Sequence, residues 1–184
     1  MVKLSQKPIA VTSLKIGGSF DERKIEGIGM VLFDQSNFMI LDSMDVQVRP
    51  ENENDLRRTE FEKTFPKERN WKGTAPLKEA IGVYTQKTKG AIFCSYDVTP
   101  DWILLSEAFV QAKTEHNMDN IRIDLLSIAW EKVLKDQDDW SLEQACGKAG
   151  IPLAPESESH IAFSRAEVMY HLFKALENAS INNN

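Results

Sequence analysis

One segment combines basic and aromatic side chains in a way that suits single-stranded nucleic acid. Between residues 57 and 72, lysines and arginines are interleaved with Phe61, Phe65 and Trp71. Cations attract a phosphate backbone, and aromatic rings stack on bases. The same pattern is also typical of a solvated loop whose aromatic side chains reach the core. The segment is therefore a candidate nucleic-acid surface with a purely structural alternative.

Two carboxylates follow a continuous apolar run at residues 91–96. Asp97 comes directly after the run, and Asp101 lies four residues later. Carboxylates at such a position can ligate a divalent cation. Alternatively, Asp97 is a turn residue and Asp101 is a first-turn acid stabilised by the helix dipole. Gly17 and Gly18 could approach a nucleotide phosphate, although a simple turn explains the pair equally well.

The elements that would position these residues begin with three strands. Apolar runs predict strands at 8–14, 25–33 and 38–48, separated by turn residues at 17–18 and 34–37. Strands 91–96 and 121–124 follow. Helical spacing predicts helices from Pro76, from Thr99-Pro100, over 125–134, from Ser141, and from His160 to Asn178.

This order predicts an α/β fold with a mixed five-stranded sheet, in which three antiparallel strands precede two parallel strands, flanked by helices. Ligands of such sheets bind at the carboxyl ends of central strands. Here those ends follow residues 11–14 and 95–96. We expect one domain over residues 1–179 and a polar tail at 180–184.

Composition excludes several classes of protein. The 184 residues carry 22 Lys+Arg and 28 Asp+Glu, a net charge of −6, which argues against binding nucleic acid by bulk charge alone. No apolar run approaches the roughly 20 residues that span a bilayer, and the amino terminus does not resemble a signal peptide. Cys94 and Cys146 lack metal-ligand spacing. We expect a cytoplasmic protein with two buried thiols and no membrane contact.

Several segments together resemble one family. Their order and spacing are similar to those of the DEDDh 3′–5′ exonucleases, the DnaQ-like group of the ribonuclease H-like fold, over residues 8–178. The segments are KIEGIGMVLFD (24–34), DVQVRPE (45–51), TAPLKEAI (74–81), IRIDLLSIAW (121–130), SLEQACGKAGIP (141–152) and SHIAFSRAEVMYHLFKAL (159–176).

The resemblance implies a two-metal hydrolase. The family carries Asp-x-Glu on its first strand, a third acid at the start of the helix after the fourth strand, and His-x₄-Asp on its last helix. The acids hold two divalent cations about 4 Å apart, which stabilise the attacking and leaving oxygens at phosphorus. The histidine is the general base toward water.

Only part of this set is present here. Carried over by position, the third acid is Asp101 and the histidine is His160. The first-strand acids fall on Thr12 and Leu14, and the last acid falls on Arg165. Because Arg165 is a permanent cation where the family has an acid, we predict an ion pair between Asp101 and Arg165 in place of a metal.

We therefore predict an exonuclease-like protein with a degenerate site, which binds single-stranded nucleic acid, 3′ ends or a protein. Arg165, Lys15, Tyr96 and Asp97 are the expected nucleic-acid contacts, and we expect no cofactor. One alternative is an active exonuclease that uses Mg²⁺ or Mn²⁺ at an atypical site of Asp97, Asp101 and His160. A second alternative is a non-catalytic structural partner subunit.

Overall fold

A mixed sheet of six strands forms the centre of the protein, a computed structural model that describes residues 7–18, 23–49, 74–153 and 160–181. The strands are β1 (Ile9–Gly17), β2 (Lys24–Phe33), β3 (Ile40–Arg49), β4 (Thr74–Pro76), β5 (Ile92–Ser95) and β6 (Arg122–Asp124). Their spatial order is β4-β3-β2-β1-β5-β6. The first three strands pair antiparallel, and the last three add to the sheet in parallel.

The predicted α/β class and mixed sheet are confirmed, with one strand more than expected. Residues 74–76 were predicted to lead into a helix, but they pair with β3 through Gln47, Val48 and Arg49 before the helix begins. Because Pro76 cannot donate to a ladder, it fits the end of this edge strand. The sheet therefore has six strands instead of five.

Within the described part of the chain, five helices cover the two faces of the sheet. They are α1 (Leu77–Lys87), α2 (Val98–Ala112), α3 (Leu125–Ala129), α4 (Leu142–Ala149) and α5 (Ile161–Ile181), and a π-helical turn at Trp130–Leu134 continues α3. The predicted start of α4 is confirmed, because Ser141 Oγ accepts a hydrogen bond from Gln144 N at 3.2 Å. The last helix extends beyond its predicted end at Asn178, and residues 182–184 lie outside the described part of the chain.

Apolar side chains form one core layer on each face. On one face α3, α4 and α5 pack on Ile9, Val11, Val31 and Cys94. On the other face α1 and α2 pack on Ala10, Ile28, Met30 and Phe93. Both cysteines, Cys94 and Cys146, are buried and free, as predicted.

The start of α5 lies against the sheet at Gly29 of β2. A Cβ atom added at Gly29 would overlap the backbone of Ala162 and Phe163. Only glycine permits this approach without a shift of the helix. Gly29 therefore fixes where the first turns of α5 stand relative to β1 and β2.

Two further sequence predictions concern a nucleic-acid surface and the absence of a membrane span. The basic and aromatic segment at 57–72 lies outside the described residues. Among the helices that are described, none has the length and apolar character needed to cross a membrane.

Candidate functional site

The carboxyl end of β1 presents one face to α5. In the strand register Ser13 lies opposite Gly29, and Gly29 lies opposite Asp45 of β3. Directly opposite residues of antiparallel strands point to the same face of a sheet. Ser13 and Asp45 therefore share the face that the first turn of α5 covers.

Thr12 and Leu14 point to the opposite face. Thr12 is buried, and its hydroxyl lies 2.8 Å from the hydroxyl of Tyr84 on α1. Leu14 packs against the core layer of α1 and α2. The resemblance assigned the family's first-strand acids to Thr12 and Leu14, but both of these side chains point away from the last helix. Alternate strand residues share a face, so the residues near the carboxyl end of β1 that lie on the α5 face are Ser13 and Lys15.

Lys15 is a largely buried cation at this end of the sheet. Its Nζ lies 3.8 Å from Glu26 Oε2, and its side chain is 16% exposed. Its Cβ is 3.3 Å from the position that a Cβ of Gly27 would take, so Lys15 and Gly27 share a face. A register shift between Lys15 and Ile16 accompanies this arrangement.

The carboxyl end of β5 places Asp97 and Asp101 at the start of α2. Asp97 is the N-cap residue, but its side chain makes no capping hydrogen bond. Asp101 stands in the first turn of α2. The cap of α2 comes from Asp124 of β6 instead, because the backbone N–H of Val98 donates to Asp124 Oδ1 at 3.4 Å. The Asp97 carboxylate is thus exposed and not used in the helix start.

Burial controls the charge of Asp101. Loss of solvent raises its pKa to about 6, the Ser95 side chain lowers the pKa, the charge of Asp97 raises it, and the charge of Arg165 lowers it. Ser95 Oγ is buried and makes no hydrogen bond of normal geometry within the described residues. Its proton has no other acceptor, so it is available to the Asp101 carboxylate.

Arg165 approaches these acids without a direct ion pair to Asp101. Its guanidinium lies 3.9 Å from Glu143 of α4, and both side chains are about half exposed. The predicted ion pair between Asp101 and Arg165 is therefore wrong: the ion-pair partner of Arg165 is Glu143. The reason is that α4 offers Arg165 a carboxylate of its own, while Arg165 still acts on Asp101 through space.

Tyr96 ties the end of β5 to the segment before α4. Its hydroxyl lies 2.8 Å from the carbonyl oxygens of both Trp140 and Ser141. Trp140 is 54% exposed, and its indole N–H donates to the Gln137 carbonyl. The sequence reasoning did not single out Trp140, and it offered no signal beyond an aromatic residue in a charged linker.

His160 lies on the β3 side of the same face. Its Nδ1 is within hydrogen-bond distance of Asp45 Oδ2. Asp45 was not predicted from the sequence either. Met44 and Val48 pack in the α1–α2 layer, so the alternation of β3 places Asp45 on the α5 face. The His160 side chain is mostly exposed. The structure thus assigns His160 a carboxylate partner from β3, separate from Asp97 and Asp101.

The carboxylates of this end do not converge into a ligand cage. Within residues 7–18, 23–49, 74–153 and 160–181, no three side chains of His, Cys, Asp or Glu are grouped closely enough to hold a metal ion together. The site consists instead of exposed Asp97, largely buried Asp101 and half-exposed Arg165, with Lys15 on the neighbouring strand.

The solved structures that this chain resembles include several exonucleases. The chain superposes on E. coli exonuclease I in complex with a dT13 oligonucleotide with a TM-score of 0.69 and 14% identity, covering 94% of this chain and 41% of that chain. It superposes on the nuclease domain of 3′hExo, a DEDDh family member bound to rAMP, with a TM-score of 0.67 and 14% identity, covering 96% and 94%.

A third neighbour is a complex of exonuclease I with SSB-Ct, with a TM-score of 0.69 and 12% identity, covering 95% of this chain and 42% of that chain. The chain thus spans under half the length of the exonuclease I structures. No protein-family model matches the sequence, and no curated protein sequence matches it. The comparisons therefore show the ribonuclease H-like exonuclease fold.

Proposed function

We propose that this chain is an exonuclease-like module that binds the 3′ end of a single strand without two-metal hydrolysis. The observation that carries the proposal is the charge around Asp101, where the guanidinium of Arg165 from α5 acts on the carboxylate and Asp97 is the one further acid among the described groups that act on it. The fold of the exonuclease neighbours, two of which hold a dT13 oligonucleotide or rAMP, supports nucleic acid as the ligand class.

The residues at this end do not fit two divalent cations. Each hard cation prefers several oxygen ligands, and two such ions need carboxylates from several elements. Asp97 and Asp101 come from one helix start, and the charge of Arg165 acts on Asp101. A guanidinium beside a carboxylate competes with a metal for that carboxylate.

The α5 face of β1 indicates which residues stand where the family has Asp-x-Glu. A carboxylate pair that shares metals with residues of the last helix must point to the face of that helix. Ser13 and Lys15 have this orientation, whereas Thr12 and Leu14 point to the α1–α2 layer. We assign Ser13 and Lys15 to these positions, so the change at the second position is a reversal of charge.

Binding is supported by the groups that remain. Arg165 is half exposed, and its planar guanidinium can donate two parallel hydrogen bonds to a phosphate. Lys15 adds positive charge on the neighbouring strand, and Tyr96 and Asp97 line the end of β5. The surplus of acids over bases limits the affinity, and contacts of Arg165 and Lys15 with phosphates would make the affinity dependent on salt.

A labelled oligonucleotide tests the proposal. The wild-type chain is incubated with a 5′-labelled single-stranded DNA or RNA in Mg²⁺ or Mn²⁺, and strand length and bound fraction are both measured. We expect salt-sensitive binding and no shortening. Shortening that is lost in the Asp101→Ala/His160→Ala double variant would contradict the proposal and support an active enzyme with an atypical site.

A further inference from the structure

We infer that this site contacts a strand end directly, without a bridging divalent cation, with Arg165 donating to a phosphodiester and Asp101 accepting from a terminal sugar hydroxyl. The inference rests on the proposed function and adds the chemical class of the end: one that offers a hydroxyl and not a terminal phosphate. The inference follows because the residues at this site do not fit two divalent cations, so the ligand must be held by the side chains themselves.

Arg165 retains hydrogen-bond donors for a ligand. Its one carboxylate neighbour within ion-pair distance, among the described residues, is Glu143 at 3.9 Å, near the limit of such a contact. Arginine has five N–H donors in a fixed fork, so a single long contact leaves most of them available. Because the side chain is 45% exposed, a phosphodiester can reach it from solvent.

Asp101 is arranged as an acceptor. It stands in the first turn of α2, where the buried Ser95 hydroxyl acts on its carboxylate and has no other hydrogen bond of normal geometry within the described residues. The Ser95 proton can hold one carboxylate oxygen of Asp101, which leaves the other oxygen for a ligand. Ser95 is thus a positioning residue, and Asp101 makes the contact.

The neighbouring charges select the kind of strand end. Asp97 and Asp101 lie close enough for the charge of one to act on the other. A hydroxyl donates to a carboxylate, whereas a terminal phosphate dianion would stand against two carboxylates with no metal between them. Like charges at one helix start oppose binding of a dianion and favour the hydroxyl-terminated partner.

Binding measurements with and without metal test this inference. Fluorescence anisotropy of a 5′-labelled single strand is recorded in EDTA and in Mg²⁺ for the wild type, Arg165→Gln and Lys78→Gln. Lys78 is an exposed cation on α1, in the layer opposite α5, so its variant controls for the loss of one charge. We expect the same Kd in EDTA and in Mg²⁺, and about tenfold weaker binding only in Arg165→Gln.

A second pair of probes tests the hydroxyl contact. The same strand carrying a 3′-phosphate is expected to bind about tenfold more weakly than the 3′-hydroxyl strand, and Asp101→Asn is expected to reduce this difference. Binding that appears only in Mg²⁺, or that is equal in Arg165→Gln and Lys78→Gln, would overturn the inference while leaving the proposed function intact. Equal binding of the two strand ends would also overturn it. An absence of binding under every condition would overturn both.

Discussion

The buried carboxylate of Asp101 lowers the stability of the folded protein, and its neighbours do not cancel this effect. Burial raises its pKa to about 6, and the Arg165 charge and the Ser95 side chain only partly oppose this rise. Its ordinary value is near 4. Between these two values the folded state holds the proton more tightly than the unfolded state. The free energy of unfolding therefore falls as the pH rises through this window, and the cost is complete above it.

Replacing this carboxyl with an amide should stabilise the protein at neutral and alkaline pH. We expect Asp101→Asn to raise the free energy of unfolding by about 1–2 kcal/mol at pH 8, with a smaller gain at pH 5. Urea unfolding at the two pH values measures the difference. Asp138→Asn, an exposed acid in the loop before α4, is the matched control and should change little. A loss of stability in Asp101→Asn at pH 8 would contradict this account.

At the level of the elements, the packing of α5 on β2 positions most of the site. The first turn of α5 stands over Gly29, with Ser13 of β1 on one side and Asp45 of β3 on the other. Arg165 follows one turn later on the same helix and reaches α4. The site therefore depends on a backbone contact rather than on side-chain packing alone.

A single methyl group at Gly29 should disturb this contact. Gly29→Ala would bring a Cβ into the Ala162 backbone, and the helix must move because a packed interior has no room to spare. We expect a loss of about 2–4 kcal/mol in the free energy of unfolding. Gly82→Ala is the control, because nothing lies within 4 Å of a Cβ at this position in α1.

The Gly82 variant should instead gain about 0.5–1 kcal/mol, since alanine is the better helix former. Both free energies come from urea unfolding under the same conditions. Equal effects of the two substitutions would show that the contact of α5 with β2 is not as close as described.

The sequence was sufficient to predict the elements with clear periodicity, but it did not show which residues of β1 face α5. The capping residue Ser141 and the turn at 34–37 were identified because their local chemistry is specific. In β1, apolar residues occupy both faces, so alternation does not tell which face meets α5, and an error of one residue reverses every side chain. The strand at 74–76 was missed because three residues carry no period.

Long-range contacts in the site were not available from the sequence either. The Asp45–His160 pair joins residues 115 positions apart, and the contact of Arg165 with Glu143 depends on how α4 and α5 pack. The family motifs identified Asp101 and His160 as positions of the family's site residues. They did not indicate that each would have a different set of neighbours.

At the scale of the whole molecule, the chain has the fold of the exonuclease neighbours, and the proposed function assigns it a different set of charges at the strand ends. The fold is that of exonuclease I and 3′hExo over at least 94% of this chain. Under the proposed function, the difference lies in a few side chains at one end of the sheet, namely Ser13 and Lys15 on β1 and Arg165 on α5. If these side chains are what excludes metal, restoring acids on the α5 face should restore metal binding.

Titration calorimetry with Mn²⁺ tests this claim most directly. The wild type is compared with Ser13→Asp/Lys15→Glu/Arg165→Asp and with Thr12→Asp/Leu14→Glu/Arg165→Asp, and circular dichroism verifies that each variant is folded. We expect no Mn²⁺ binding by the wild type, saturable binding by the Ser13 and Lys15 variant, and none by the Thr12 and Leu14 variant. Saturable Mn²⁺ binding by the wild type, or no binding by a folded Ser13 and Lys15 variant, would contradict the account.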